Sequence, residues 1–134
     1  MSWPKGLNQP LSAHFSTKEF ECRCEFGTCK TQLLNIDLWK KLEQIREELK
    51  APLIINSAFR CGTHQEWLAQ AGHPTARGIS QHETGRAADI TTTADKMELL
   101  HQLAREKFRA TGHAPGWVHV DLRTDKERRW RYEA

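Results

Sequence analysis

Three residues of this chain have the types and the settings to hold a metal: His82, Asp89 and His119. The first two lie in Ser80-Gln81-His82-Glu83-Thr84-Gly85-Arg86-Ala87-Ala88-Asp89-Ile90, and the third in the later segment Trp117-Val118-His119-Val120-Asp121. Two imidazoles and a carboxylate form the ligand set of a catalytic zinc site, which keeps a further position open for water or substrate. A metal-dependent hydrolase is the first chemistry these residues suggest.

The elements that must position them can be read from the flanking residues. His82 sits in a polar turn, Gly85 permits a tight reversal, and Ala87 and Ala88 leave room for close packing before the β-branched run Asp89-Ile90-Thr91-Thr92, which predicts a strand. In the second segment the alternation is cleaner. Val118, Val120 and Leu122 share one side, while Trp117, His119, Asp121 and Arg123 share the other. Strand rise puts His119 and Asp121 about 7 Å apart on one face, as expected of a strand flooring a cleft.

Taken together, Ser-x-His-x-x-Gly-x-Ala-x-Asp-Ile and the late Val-His-Val-Asp strand resemble the zinc D-alanyl-D-alanine carboxypeptidase family. That family includes phage endolysins that cut L-alanyl-D-glutamate bonds and the zinc dipeptidases of vancomycin resistance. The same string also resembles the amino-terminal signalling domain of Hedgehog proteins, which share the zinc fold. Upstream, Phe15-Ser16-Thr17-Lys18-Glu19-Phe20 is similar to the family's opening segment, and Ile55-Asn56-Ser57-Ala58-Phe59-Arg60 to its Ser-Gly-Tyr-Arg type of strand.

The resemblance implies His82, Asp89 and His119 as zinc ligands and Arg60 as the group that holds a substrate carboxylate or carbonyl. In one respect the chain departs from the pattern. Several members carry Glu or Asp three residues before the last His as general base, and that position is Gly116 here. Two other residues are candidates for the base. Asp121 shares the His119 face, where it could equally orient His119 or Arg60. His113, in the segment Gly112-His113-Ala114-Pro115-Gly116, is expected on a loop that brings it over the metal, with a side chain that titrates near neutrality. Glu83, beside a ligand, ranks behind both.

A chain of 134 residues is read as one domain over residues 1–134, large enough to bury roughly two-thirds of its unfolded surface without help from a metal. The net charge of +3 is modest, and the basic run Lys126-Glu127-Arg128-Arg129-Trp130-Arg131 is read as a solvated tail, so no nucleic-acid partner is expected. No apolar run approaches the roughly 20 residues of a membrane span, and Met1–Gly6 lacks the apolar stretch of a secretory signal. The protein is therefore expected to be a monomer that stays cytoplasmic as synthesised, or is released to the cell wall by lysis if it is phage-derived.

Four cysteines, Cys22, Cys24, Cys29 and Cys61, complete the reactive inventory. The gaps between the first three are not those of a familiar zinc knuckle, so the sequence signals a second metal site only weakly. A cytosolic location disfavours disulfides, so reduced, partly buried thiols are the expectation.

The remaining pattern gives α+β: a small, mainly antiparallel sheet with flanking helices. Ser16-Thr17-Lys18-Glu19 has the form of a capping box for a short helix. Asn35 or Asp37 caps a second helix with Leu38, Leu42, Ile45 and Leu49 along one face, and Leu53-Ile54-Ile55 reads as a buried strand. A short helix is expected from Thr63 to Ala71, then a loop over residues 72–79 that could line or close a cleft. Thr93 or Asp95 caps a last helix bearing Met97, Leu100, Leu103, Ala104 and Phe108, which is expected to end near Gly112.

The expected activity is hydrolysis of peptidoglycan stem peptides with Zn2+ as cofactor. The rivals are a zinc-bearing binding module that has lost its base and a phage structural protein of the same fold.

Overall fold

The computed structural model describes residues 1–24, 29–62, 70 and 81–132. The expected helix at Thr63–Ala71 and the loop over residues 72–79 lie outside the described residues, apart from Gln70.

Strand β1 (Ser2–Pro4) pairs antiparallel with β2 (Thr31–Leu33). Between them a 3-10 turn at Thr17–Phe20 opens on the expected capping box, in which the Ser16 N–H donates to Glu19 Oε2 at 2.7 Å. The turn buries Phe20 edge-on against Phe15, with ring centroids 5.8 Å apart.

Helix α1 (Ile36–Leu49) starts where Asn35 accepts a hydrogen bond from the Asp37 N–H at 2.9 Å, the side-chain cap that an Asn supplies to a first turn. Its Leu38, Leu42, Ile45 and Leu49 are fully buried. The helix closes on Lys50 in the left-handed conformation, φ 54°. A Cβ makes that conformation costly, which is why glycine usually occupies it.

The main sheet has the order β3-β4-β6-β5-β7, from β3 (Ile54–Ser57), β4 (Ala87–Thr91), β5 (Ala110–Ala114), β6 (Trp117–Asp121) and β7 (Arg128–Arg131). The fold is α+β as expected. The mainly antiparallel sheet is corrected to a mixed one, because β7 runs parallel to β5 while the other three pairings are antiparallel.

Register sorts the side chains into two faces. Ala88 pairs with Val120 and Ile90 with Val118, and these residues join α1 and the helix α2 (Met97–Lys107) in the core. Ala87 pairs with Asp121 and Asp89 with His119 on the opposite face.

Three local expectations change. Ile54 is 52% exposed, since β3 is an edge strand with only alternate residues covered. Helix α2 ends at Lys107, where Phe108 turns extended to stay in the core, so Gly112 and His113 belong to β5 rather than to a helix end and a loop. The basic run near residue 130 is strand β7.

Replacing Lys50 by Gly relieves the left-handed strain at the end of α1. Urea unfolding should show a gain of roughly 0.5–1 kcal/mol, and a loss would contradict the account of this cap.

Candidate metal centre

His82 arrives on a 3-10 turn, Gln81–Thr84, that is locked from both sides. Gly85 follows it at φ +70°, and a Cβ there would lie 2.6 Å from the Leu33 carbonyl, so both its backbone conformation and its close approach require glycine. The Asn35 N–H donates to the Gly85 carbonyl at 2.8 Å, and the Arg60 N–H to that of His82 at 3.2 Å. The imidazole is buried. Its Nδ1 lies 2.7 Å from the Ala58 carbonyl, an acceptor that fixes the proton on Nδ1 and leaves the Nε2 lone pair facing inward.

Asp89, in the middle of β4, is where the site converges. Its Oδ1 lies 3.4 Å from His82 Nε2 and 2.9 Å from His119 Nδ1, and its Oδ2 accepts from Arg60 Nη2 at 2.9 Å. A bulge between Ile55 and Ser57 shifts β3 so that Ser57 stands opposite Asp89. The Ser57 hydroxyl accepts from Arg60 Nε at 3.0 Å, aiming the guanidinium at the carboxylate.

Behind His119 stands Asp121. Its Oδ2 lies 2.9 Å from His119 Nε2, and Arg123 closes around both carboxylate oxygens through Nε at 2.9 Å, Nη2 at 2.8 Å and its backbone N–H at 3.0 Å. Asp121 is completely buried. A carboxylate holding the far nitrogen of an imidazole is the usual way to aim the near nitrogen at a metal.

The electrostatics suit a cation. Burial lowers the pKa of His82 and so favours the neutral ring that can act as ligand. Burial opposes ionisation of Asp89, yet the close approach of His119 and His82 outweighs it and holds the carboxyl well below its usual range. For Asp121, too, burial is outweighed, here by hydrogen bonds from His119 and Arg123. Burial alone would depress His119, but its contacts with Asp121 and Asp89 raise it.

His82, Asp89 and His119 each offer one ligand atom, and these atoms all lie within 4.8 Å of one another. Two nitrogens and a carboxylate oxygen at such spacing fit a zinc ion, whose bonds to these donors are about 2.0–2.2 Å long.

The family model described as Peptidase M15 matches residues 13–121. The chain belongs to the peptidase M15 family. This bears out the resemblance to zinc D-alanyl-D-alanine carboxypeptidases drawn from the sequence. No curated protein matches the chain. The peptidase M15 match takes in His82, Asp89, His119, Arg60 and Asp121, and it ends with β6.

Strand β7 lies beyond that match and adds an aromatic wall that sequence reading missed. The Trp130 ring lies 5.3 Å from the His119 ring and 6.3 Å from Tyr132, which in turn lies 4.6 Å from Trp117, and the Arg123 guanidinium covers Trp130 at 5.6 Å. The signal was Trp130 and Tyr132 at strand spacing among arginines, obscured by the density of charge. The wall fits because Gly112 lies beneath it. A Cβ at Gly112 would overlap the Trp130 indole and come within 2.6 Å of Tyr132 Cε2.

His113 is not brought to the site. It pairs with Val118, one position from His119, and so lies on the helix-covered face. There its Nδ1 sits 2.8 Å from His101 Nδ1 and its Nε2 2.8 Å from Thr111 Oγ1. One proton serves the two facing nitrogens. Burial, then His101, Arg105, Arg129 and Arg131, push His113 down to about 4. Glu83 stays on the His82 turn, half-buried.

Two predictions follow from this geometry. Gly112→Ala must displace Trp130 and Tyr132 and should cost about 1–3 kcal/mol in urea unfolding. Gly116→Ala, with open space around it, should stay within about 0.5 kcal/mol; equal effects would dismiss the packing argument. For His113, a folded pKa below the usual value contributes stability above about pH 6.5 that is lost as pH falls towards about 4. Wild type should therefore lose more stability than His113→Gln between about pH 7 and pH 5 at saturating zinc, and parallel losses would exclude the histidine pair as the cause.

Proposed function

We propose that this protein is a zinc peptidase that hydrolyses peptide bonds in peptidoglycan stem peptides. The observation that carries the reading is the convergence of His82 Nε2, His119 Nδ1 and Asp89 Oδ1, each ligand group held from behind, in a chain of the peptidase M15 family.

His82, Asp89 and His119 would hold the zinc, which when bound supplies Lewis-acid polarisation of the scissile carbonyl and a lowered pKa for attacking water. The remaining work falls to the chain's own groups. Ala58 and Asp121 hold the two imidazoles in the tautomers that present a lone pair inward. Asp121 is a positioning residue, since both its oxygens are engaged by His119 and Arg123. Arg60, steered by Ser57 and Asp89, carries planar donors suited to a substrate carboxylate or to a developing oxyanion. Trp117, Trp130 and Tyr132 offer an apolar side against which a short peptide can lie.

A second reading, a zinc-bearing module that binds without turnover, is favoured by one feature. Gly116 stands where several relatives carry the base, Asp121 is fully engaged, and His113 lies on the other face of the sheet.

Muropeptide hydrolysis with and without chelator, alongside zinc analysis, tests both readings. Wild type should turn over and stop on chelation. His82→Ala and His119→Ala should each lose one zinc per chain and all turnover, and Asp121→Asn should bind zinc about 10–100-fold more weakly. Arg60→Lys should keep its zinc and its fold while losing most of its rate. Turnover that survives chelation, or full zinc in both histidine variants, would overturn the proposal. Zinc at this centre with no turnover on any muropeptide would leave the binding module.

A further inference from the structure

Outside the candidate centre the most concentrated chemistry is sulfur. Cys22 and Cys24 follow the 3-10 turn at Thr17–Phe20, Cys29 precedes β2, and Cys61 follows β3 directly after Arg60. The fold brings all four together with Phe59 in a small core of their own. One ligand atom from each lies within 4.8 Å of the others. We propose that Cys22, Cys24, Cys29 and Cys61 form a second metal site, a closed tetrahedral thiolate site for zinc that is structural rather than catalytic.

The distances are those of a shared ion. Cys61 Sγ lies 3.8 Å from Cys22 Sγ and 3.6 Å from Cys24 Sγ. A zinc–sulfur bond of about 2.3 Å in a regular tetrahedron separates neighbouring sulfurs by about 3.8 Å. A disulfide requires about 2.05 Å. Cys61 stands at this separation from two partners at once, so the four sulfurs gather around a point rather than sorting into pairs.

The surroundings are also those of thiolates. The Cys61 N–H donates to Cys22 Sγ at 3.4 Å, Gln32 Nε2 to Cys29 Sγ at 3.6 Å, and Lys5 Nζ lies 3.9 Å from Cys24 Sγ. Gln32 is completely buried and accepts from the Cys22 N–H at 2.7 Å through Oε1, so one side chain fixes two of the ligands. Donors of this kind offset the charge that four thiolates place on a single ion and orient the sulfurs.

Four protein ligands leave no position for water or substrate, which marks a structural site. Such a site would clamp the segment after the 3-10 turn, the approach to β2 and the segment that carries Arg60. This reading is independent of the zinc peptidase proposal, because soft sulfur donors and the nitrogen and oxygen donors of the other centre are chemically distinct.

The test is metal analysis and cobalt substitution of the full chain purified under reducing conditions. Wild type should hold about two zinc ions per chain, one at each centre. Cobalt-substituted wild type and His82→Ala should both show intense sulfur-to-cobalt charge-transfer absorption. Cys24→Ser and Cys61→Ser should lose that absorption and one zinc while keeping the other. Should those variants fail to fold, wild type still decides, since a mercurial titrating its thiols should release one zinc as all four sulfurs are modified. Absence of the sulfur–cobalt band in wild type, four thiols that react freely in the zinc-loaded protein, or a mass deficit showing disulfides would each overturn the proposal.

Discussion

The pairing of Asp89 with His119 across β4 and β6 is the constraint on which the site depends. Strand side chains alternate, so a slip of one residue would send one partner to the helix-covered face and replace it with an aliphatic residue. The register is held from the other side of the sheet, where Ala88, Ile90, Val118 and Val120 are completely buried. Packing that has nothing to do with chemistry thus sets the distance between two ligands. Buried carboxylates are tolerated only when fully partnered, and removing one partner costs several kcal/mol. Asp89 and Asp121 are each matched by a guanidinium and an imidazole, which keeps two negative charges inside the fold.

Much of this was legible in the sequence because β6 alternates strictly. Val118 and Val120 against His119, Asp121 and Arg123 gave both the strand and its polar face, and the Leu38, Leu42, Ile45 and Leu49 stripe gave α1. His113 was misjudged for a physical reason. Helix α2 and β5 are joined by the short stretch from Phe108, an apolar residue that continues the helical stripe, so the change of period is hidden until β5 is paired. Pairing then decides which face His113 takes, and pairing is a long-range property that no local window contains.

Strand β7 was illegible for another reason. Its arginines look like a solvated tail until the parallel partner β5 is known, and only then do Trp130 and Tyr132 fall on the site side. The cysteines illustrate the same limit. Their gaps along the chain match no common zinc motif, and the fourth sulfur comes from a segment beyond β3 that the fold, not the local sequence, brings near the other three.

The parallel placement of β7 also bears on how the cleft is held together. The three ligand-bearing segments all precede β7 in the chain, and β7 is joined to the sheet through β5 alone. The ligands of the metal centre therefore lie on elements that do not include β7, and the aromatic side of the cleft is an addition at the sheet's edge. That edge holds to the sheet through one strand and the flat Gly112 surface, so whatever loosens β7 opens one side of the cleft and leaves the three ligands in place.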